Sequence, residues 1–175
     1  MRMKEQQKLA EHYLNVSKYY LRRKEWLNVI RSARYALQLK EQICKDGDSV
    51  TAETCFVLGC AYCECVVPSH TPSEDWDKAE ELWHKAKEIW GRLGNQVEVG
   101  TIHFNLGHLY VKRGDISRVR EHWEFARDIY KGLGRDQMVQ HVEEQIADIP
   151  SIFEKIKQAE AWLNEEDTRL HQNDK

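Results

Sequence analysis

Proline and glycine are scarce, 3 and 9 residues in 175, which removes the punctuation of collagen-like or low-complexity chains and of many-turned β proteins. Charge of one sign is missing as well. With 26 basic against 29 acidic residues the formal net charge is -3, so no global field draws the chain to nucleic acid or an anionic bilayer. No run approaches the eighteen or so consecutive apolar residues that a membrane helix needs. The opening Met1-Arg2-Met3-Lys4-Glu5-Gln6-Gln7-Lys8 has neither the apolar core of an export leader nor an Arg-rich, acid-poor transit character. An odd five cysteines without such a leader argue against a disulfide framework. The expectation is a soluble protein of the reducing cytoplasm, with no membrane and no nucleic acid among its partners.

What is present is a helix-forming composition, 41% apolar and 31% charged, in a chain long enough to bury a core of its own. The pattern repeats. Ile89-Trp90-Gly91-Arg92-Leu93-Gly94 recurs 40 residues later as Ile129-Tyr130-Lys131-Gly132-Leu133-Gly134. Trp83 and Ala86 find Trp123 and Ala126 at the same offset. Upstream, Cys55-Phe56-Val57-Leu58-Gly59-Cys60-Ala61-Tyr62 matches His103-Phe104-Asn105-Leu106-Gly107-His108-Leu109-Tyr110, 48 residues on. The eight extra residues fall in one loop around Val66 to His70, which contains Pro68. Each second segment carries one apolar face at helical spacing: Ala79, Leu82, Trp83, Ala86, Ile89, Trp90 and Leu93, then Ile116, Val119, Trp123, Ala126, Ile129, Tyr130 and Leu133. Thr71-Pro72-Ser73-Glu74 has the form of a capping box with proline at the first helical position, which predicts a helix from Pro72.

Leu58-Gly59, Tyr62, Ala79, Trp83, Ala86 and Leu106-Gly107, Tyr110, Val119, Trp123, Ala126 resemble the tetratricopeptide repeat, in which Leu-Gly-x-x-Tyr on a first helix is followed by Ala-x-x-x-aromatic and a further Ala on a second. A more degenerate copy precedes them, with Tyr13, Val16, Ser17 and Tyr20, then Trp26, Val29, Ala33 and Ala36. The closing proline of the 34-residue form is absent. The 40-residue spacing is similar to that of kinesin light chains and the Leu-Gly-Asn-repeat adaptors. The resemblance implies an all-α fold, a short right-handed α-solenoid of about three helix hairpins at 8–46, 51–94 and 97–134, followed by capping helices. It puts the repeat array in 1–149, with a helix ended by Pro150, and a C-terminal amphipathic helix and polar tail in 150–175. Ser151-Ile152-Phe153-Glu154, again of capping-box form, would start that last helix. Its stripe of Ile152, Phe153, Ile156, Ala159, Trp162 and Leu163 is available to cap the array or to cover its groove.

Catalytic constellations are not apparent: the chain has no nucleophile elbow, phosphate loop or dinucleotide fingerprint, and its eight histidines include no His-x-x-x-His pair. The expectation is no catalytic residue, no metal and no cofactor. Cys55-x4-Cys60-x2-Cys63, with Cys65 or Cys44 as a fourth ligand, matches plant-type ferredoxin spacing. On a continuous helix, however, Cys55 and Cys60 point about 140° apart, so packing is the preferred reading of these cysteines. A cysteine-cluster redox or metal protein stays open as an alternative, as does a self-assembling homo-oligomer. A nucleic-acid edge through Arg22-Arg23-Lys24, Lys112-Arg113 and Arg118 to Arg120 is a third alternative, set against the acidic balance.

By the resemblance, the first helices line a concave groove. Carried over residue by residue, its positions are Glu11, Leu14, Lys18, Leu21 and Arg22, then Glu53, Phe56, Cys60, Cys63 and Glu64, then Thr101, Phe104, His108, Val111 and Lys112. This strip of apolar groups bordered by cations suits an amphipathic helix or an extended peptide with acidic flanks. The implied function is a non-catalytic adaptor or assembly factor holding a protein or peptide partner. Family members that grip the terminal carboxylate of heat-shock chaperones need a clamp of Lys, Arg and Asn donors. At those positions stand Leu14, Lys18, Val57, Thr101 and Asn105, which argues against that ligand.

Overall fold

The structure is a computed structural model and describes residues 3–43, 47–65 and 71–173, with the backbone alone for 160 and 164–173. Among these residues all regular structure is helical, in seven helices. They are α1 (Met3–Arg22), α2 (Trp26–Ile43), α3 (Ser49–Glu64), α4 (Pro72–Arg92), α5 (Gln96–Arg113), α6 (Ile116–Gly132) and α7 (Asp136–Asn173). The chain divides into two compact units, Met1–Ile102 and His103–Lys175. In the first, α1 packs on α2, α2 on α3 and α3 on α4, and α1 also touches α3. In the second, the His103–Arg113 stretch of α5 packs on α6 through Trp123, and α6 packs on α7.

Side chains set the helix starts. Thr71 Oγ1 accepts from the Glu74 amide at 3.3 Å, and the Glu74 carboxylate accepts from the Thr71 amide at 2.7 Å, so the predicted capping box forms and α4 begins at Pro72. Asp48 caps α3 by accepting from the Thr51 amide at 3.0 Å, and Asp115 caps α6 by accepting from Arg118 at 3.1 Å. Helix ends share another device. The carbonyls of Tyr20, Trp90, Tyr110 and Tyr130 each accept from the amide five residues on, at 3.1, 2.9, 3.0 and 2.9 Å. The residue before that donor is left-handed in all four turns: Lys24 (φ 57°), Gly94 (75°), Gly114 (73°) and Gly134 (64°).

The hairpins close where a small residue meets a ring. Trp83 covers Gly59 and donates its indole N–H to the Phe56 carbonyl at 3.2 Å. Trp123 does the same at Gly107, donating to the Phe104 carbonyl at 3.0 Å. Both indoles are essentially inaccessible, 1% and 0% exposed, so burying these large surfaces is a main source of hairpin stability. The first hairpin has Ser17 and Ala33 at the equivalent places, both fully buried. Of the remaining tryptophans, Trp90 is buried, Trp26 and Trp76 are half-buried, and Trp162 is exposed.

One expectation is overturned. Pro150 does not end a helix; it lies inside α7, which runs unbroken from Asp136 to Asn173, so Ser151 is mid-helix and starts nothing. Proline removes one helical hydrogen bond and crowds the preceding turn, at a cost of about 3 kcal/mol. Here the apolar stripe keeps its period across it. Val142, Ile149 and Phe153 are buried and Ile146 half-buried, so packing holds the two sides of the proline in one register. Pro150 itself faces water. The expected loop at Val66 to His70 and the cysteine at Cys44 lie outside the described residues.

Candidate functional site

The groove positions separate into three groups. Leu14 and Cys63 belong to the core, 3% and 5% exposed, and are corrections to the expected accessible strip. Leu14 shares a stripe with Ala10 and Ser17, at spacings of four and seven residues from Ala10, and that stripe is the buried face of α1. Cys63 falls one turn beyond Gly59 on the side of α3 that α4 covers.

A second group is brought together on the α1 and α3 faces of the first unit. Lys18 and Glu53 form an ion pair that joins the two helices. Leu21, Phe56 and Cys60 are half-buried and Arg22 is exposed. The Phe56 ring rests 5.7 Å from that of Trp90. Burial pushes the Cys60 thiol up to about 12, with the neighbouring Cys63 adding to the shift. Cys55, on the buried face, is raised by burial to about 11. Neither is a ready thiolate at neutral pH. Thr101, at the end of this unit, turns its hydroxyl back to the Val97 carbonyl at 3.0 Å.

The third group lies in the second unit. Phe104 is half-buried, its ring 4.6 Å from His108 in an edge-on arrangement, 6.2 Å from Trp123 and 5.2 Å from His141 of α7. Val111 is half-buried and Lys112 exposed. The carried-over positions did not include His141, because it lies beyond the third hairpin.

A histidine pair also emerges that the sequence did not announce. His103 and His122 meet Nδ1 to Nδ1 at 3.0 Å, so one ring donates its N–H to the other's lone pair. The His122 ring stacks on Tyr110 at 5.2 Å with the planes 2° apart, and Arg118 donates to the Tyr110 hydroxyl at 3.0 Å. Among the described residues, no three His, Cys, Asp or Glu side chains gather in an arrangement able to hold a metal ion. None of their helices is long and apolar enough to cross a membrane.

These features define the class: an all-α protein of repeat-like helix hairpins, closed by a tryptophan set over a glycine in the second and third. No family model matches the sequence, and no curated protein matches it.

Proposed function

We propose that the chain is a non-catalytic protein-interaction module of tetratricopeptide-like hairpins, an adaptor or assembly factor of the cytoplasm. A segment of a partner protein docks on the faces of its first helices. The observation that carries this reading is the equivalence of Phe56 and Phe104. Each lends its backbone carbonyl to a core indole while its ring stays half-buried at the helix surface. A half-covered aromatic ring beside a cationic rim is the composition of a binding hot spot. In the carried-over strip Phe56 is accompanied by exposed Arg22, Lys18 being paired with Glu53, and Phe104 by Lys112. The cations select acidic flanks on the partner, and the rings anchor its apolar side chains.

The test compares partners retained on the wild-type chain, on Phe56→Ser/Phe104→Ser and on Arg22→Glu/Lys112→Glu, using affinity purification with quantitative mass spectrometry. The charge reversals change exposed side chains and leave the fold intact, which covers the case in which loss of the two rings weakens packing on Trp90 and Trp123. Both variants should lose the same partner. If both stay folded and retain it, the first-helix faces are not the binding surface.

Self-association is favoured by one separate feature. Trp162 and Leu163, toward the end of α7, are 59% and 58% exposed. Sedimentation of the wild-type chain and of Trp162→Ser/Leu163→Ser measures that reading directly: a shift from oligomer to monomer supports it, and a wild-type monomer at high concentration removes it.

A further inference from the structure

A cleft of the first unit lies away from the first-helix faces. On α3, Leu58 and Tyr62 are five and nine residues past Glu53, which turns them about 140° and 180° from it. They form the floor of a cleft of about 760 Å³ walled by α2 and α4. That volume falls within the range of small-molecule sites.

Its walls are cationic in a chain of formal net charge -3. Arg31 and Arg34 come from successive turns of α2, and Lys78 and Lys85 from α4, against the carboxylates Glu41 and Glu81. Lys85 is taken by Glu41 at 2.9 Å, and Lys78 stands 5.6 Å over the Tyr62 ring and 3.8 Å from Asp75. Among the described residues neither Arg31 nor Arg34 is held by a carboxylate; Arg34 instead acts on the Tyr62 phenol, whose pKa burial raises and the guanidinium partly restores. Two guanidinium groups one turn apart therefore border an apolar and aromatic floor, Arg34 with one donor on the Tyr62 phenol, and among the described residues neither fork meets an anion. Guanidinium matches phosphate and carboxylate bidentately, and Tyr and Leu surfaces accept a flat apolar body.

We propose that this cleft binds a small organic phosphate whose apolar or aromatic body lies against Tyr35 and Leu82, above the buried Leu58 and Tyr62, and whose anionic group is held by Arg31 and Arg34. The site is separate from the first-helix faces and does not depend on the adaptor reading.

The test is calorimetric titration of the full chain with 1-naphthyl phosphate, with 1-naphthol and inorganic phosphate as half-ligands. Saturable binding of 1-naphthyl phosphate is expected, with each half-ligand at least about tenfold weaker. Arg31→Gln and Arg34→Gln should each weaken it by about tenfold or more, the loss of one charge-assisted contact. Arg22→Glu/Lys112→Glu should leave it unchanged. Both glutamine substitutions fall on exposed positions, and an unaltered melting temperature verifies the fold. Absence of saturable binding at millimolar ligand overturns the proposal. So does affinity that survives both substitutions, and so does inorganic phosphate binding as tightly as the naphthyl ester, which would leave the apolar floor without a role.

Discussion

Trp123 donates its indole N–H to the carbonyl of Phe104 at 3.0 Å while its ring covers the Cα of Gly107. Trp83 stands in the same relation to Phe56 and Gly59, at 3.2 Å. One interaction pins the ring, and the other requires that nothing project from the facing helix. A Cβ at Gly59 would lie 2.6 Å from Trp83 Nε1, and at Gly107 the indole comes closer still.

Alanine at either glycine should therefore destabilise the protein, although in an exposed helix it would add about 1 kcal/mol of stability. The displaced group is a fully buried ring. Overpacking of that kind costs about 1–3 kcal/mol beyond the propensity gain, with Gly107→Ala the worse of the two. Chemical denaturation measures both, and a variant more stable than wild type would show that the rings have room to move.

The Lys40 ammonium is buried, its side chain 1% exposed, and is held by Asp48 and by the Gln7 amide oxygen at 2.6 Å. Those contacts tie α2 to the N-cap of α3 and to α1. Asp48→Asn retains a capping side chain but leaves the lysine charge uncompensated, and should cost about 3 kcal/mol. Lys40→Met should cost no more than about 1 kcal/mol, because the Asp48 side chain is 36% exposed and can be hydrated. Equal costs would count against this asymmetry.

The same pair gives a pH dependence. Burial would raise the Asp48 carboxyl, but hydrogen bonds from Lys40 and Thr51, with the Lys40 charge, outweigh it and hold the group below its ordinary value. A depressed folded pKa contributes stability that is fully present above the unfolded carboxylate value, about 3.9, and is lost as pH falls through the folded value. Melting of the wild type should drop more steeply below about pH 4 than that of Asp48→Asn.

Cys55 and Cys60, raised by burial to about 11 and about 12, should resist alkylation. At pH 8 the native chain should label at both positions on the order of a hundredfold more slowly than the unfolded chain. Site-resolved mass spectrometry after iodoacetamide reads this out. Prompt modification of Cys60 would instead mark a reactive thiol and revive the cysteine-cluster alternative.

Lys24 occupies the left-handed position that glycine holds in the three corresponding turns. A side chain there costs about 1 kcal/mol, so Lys24→Gly should raise stability by up to about that amount. A lower melting temperature would mean that greater freedom of the unfolded glycine chain dominates.

Much of this architecture is local and was legible in the residue order. The spacing of Ala79, Trp83 and Ala86, the Thr71 to Glu74 box and the Gly114 turn each act within a few residues, so their consequences do not await the rest of the fold. Pro150 shows where a local rule loses: its break signal was outweighed by a stripe whose period continues from Val142 to Phe153, and only packing decides between them. Leu14, Cys63 and Leu21 look alike as apolar groups on first helices, yet the first two are enclosed and the third is half-covered, because coverage depends on which neighbouring helix crosses that face. His103 with His122, Phe104 with His141, and Arg34 of α2 with Tyr62 of α3 meet across distances no periodicity spans. The sequence by itself determined the helices up to α6, their ends and the glycines that admit tryptophan, all short-range chemistry; tertiary structure decided that α7 runs through Pro150 and which helix faces stay open, because burial is a property of the neighbours.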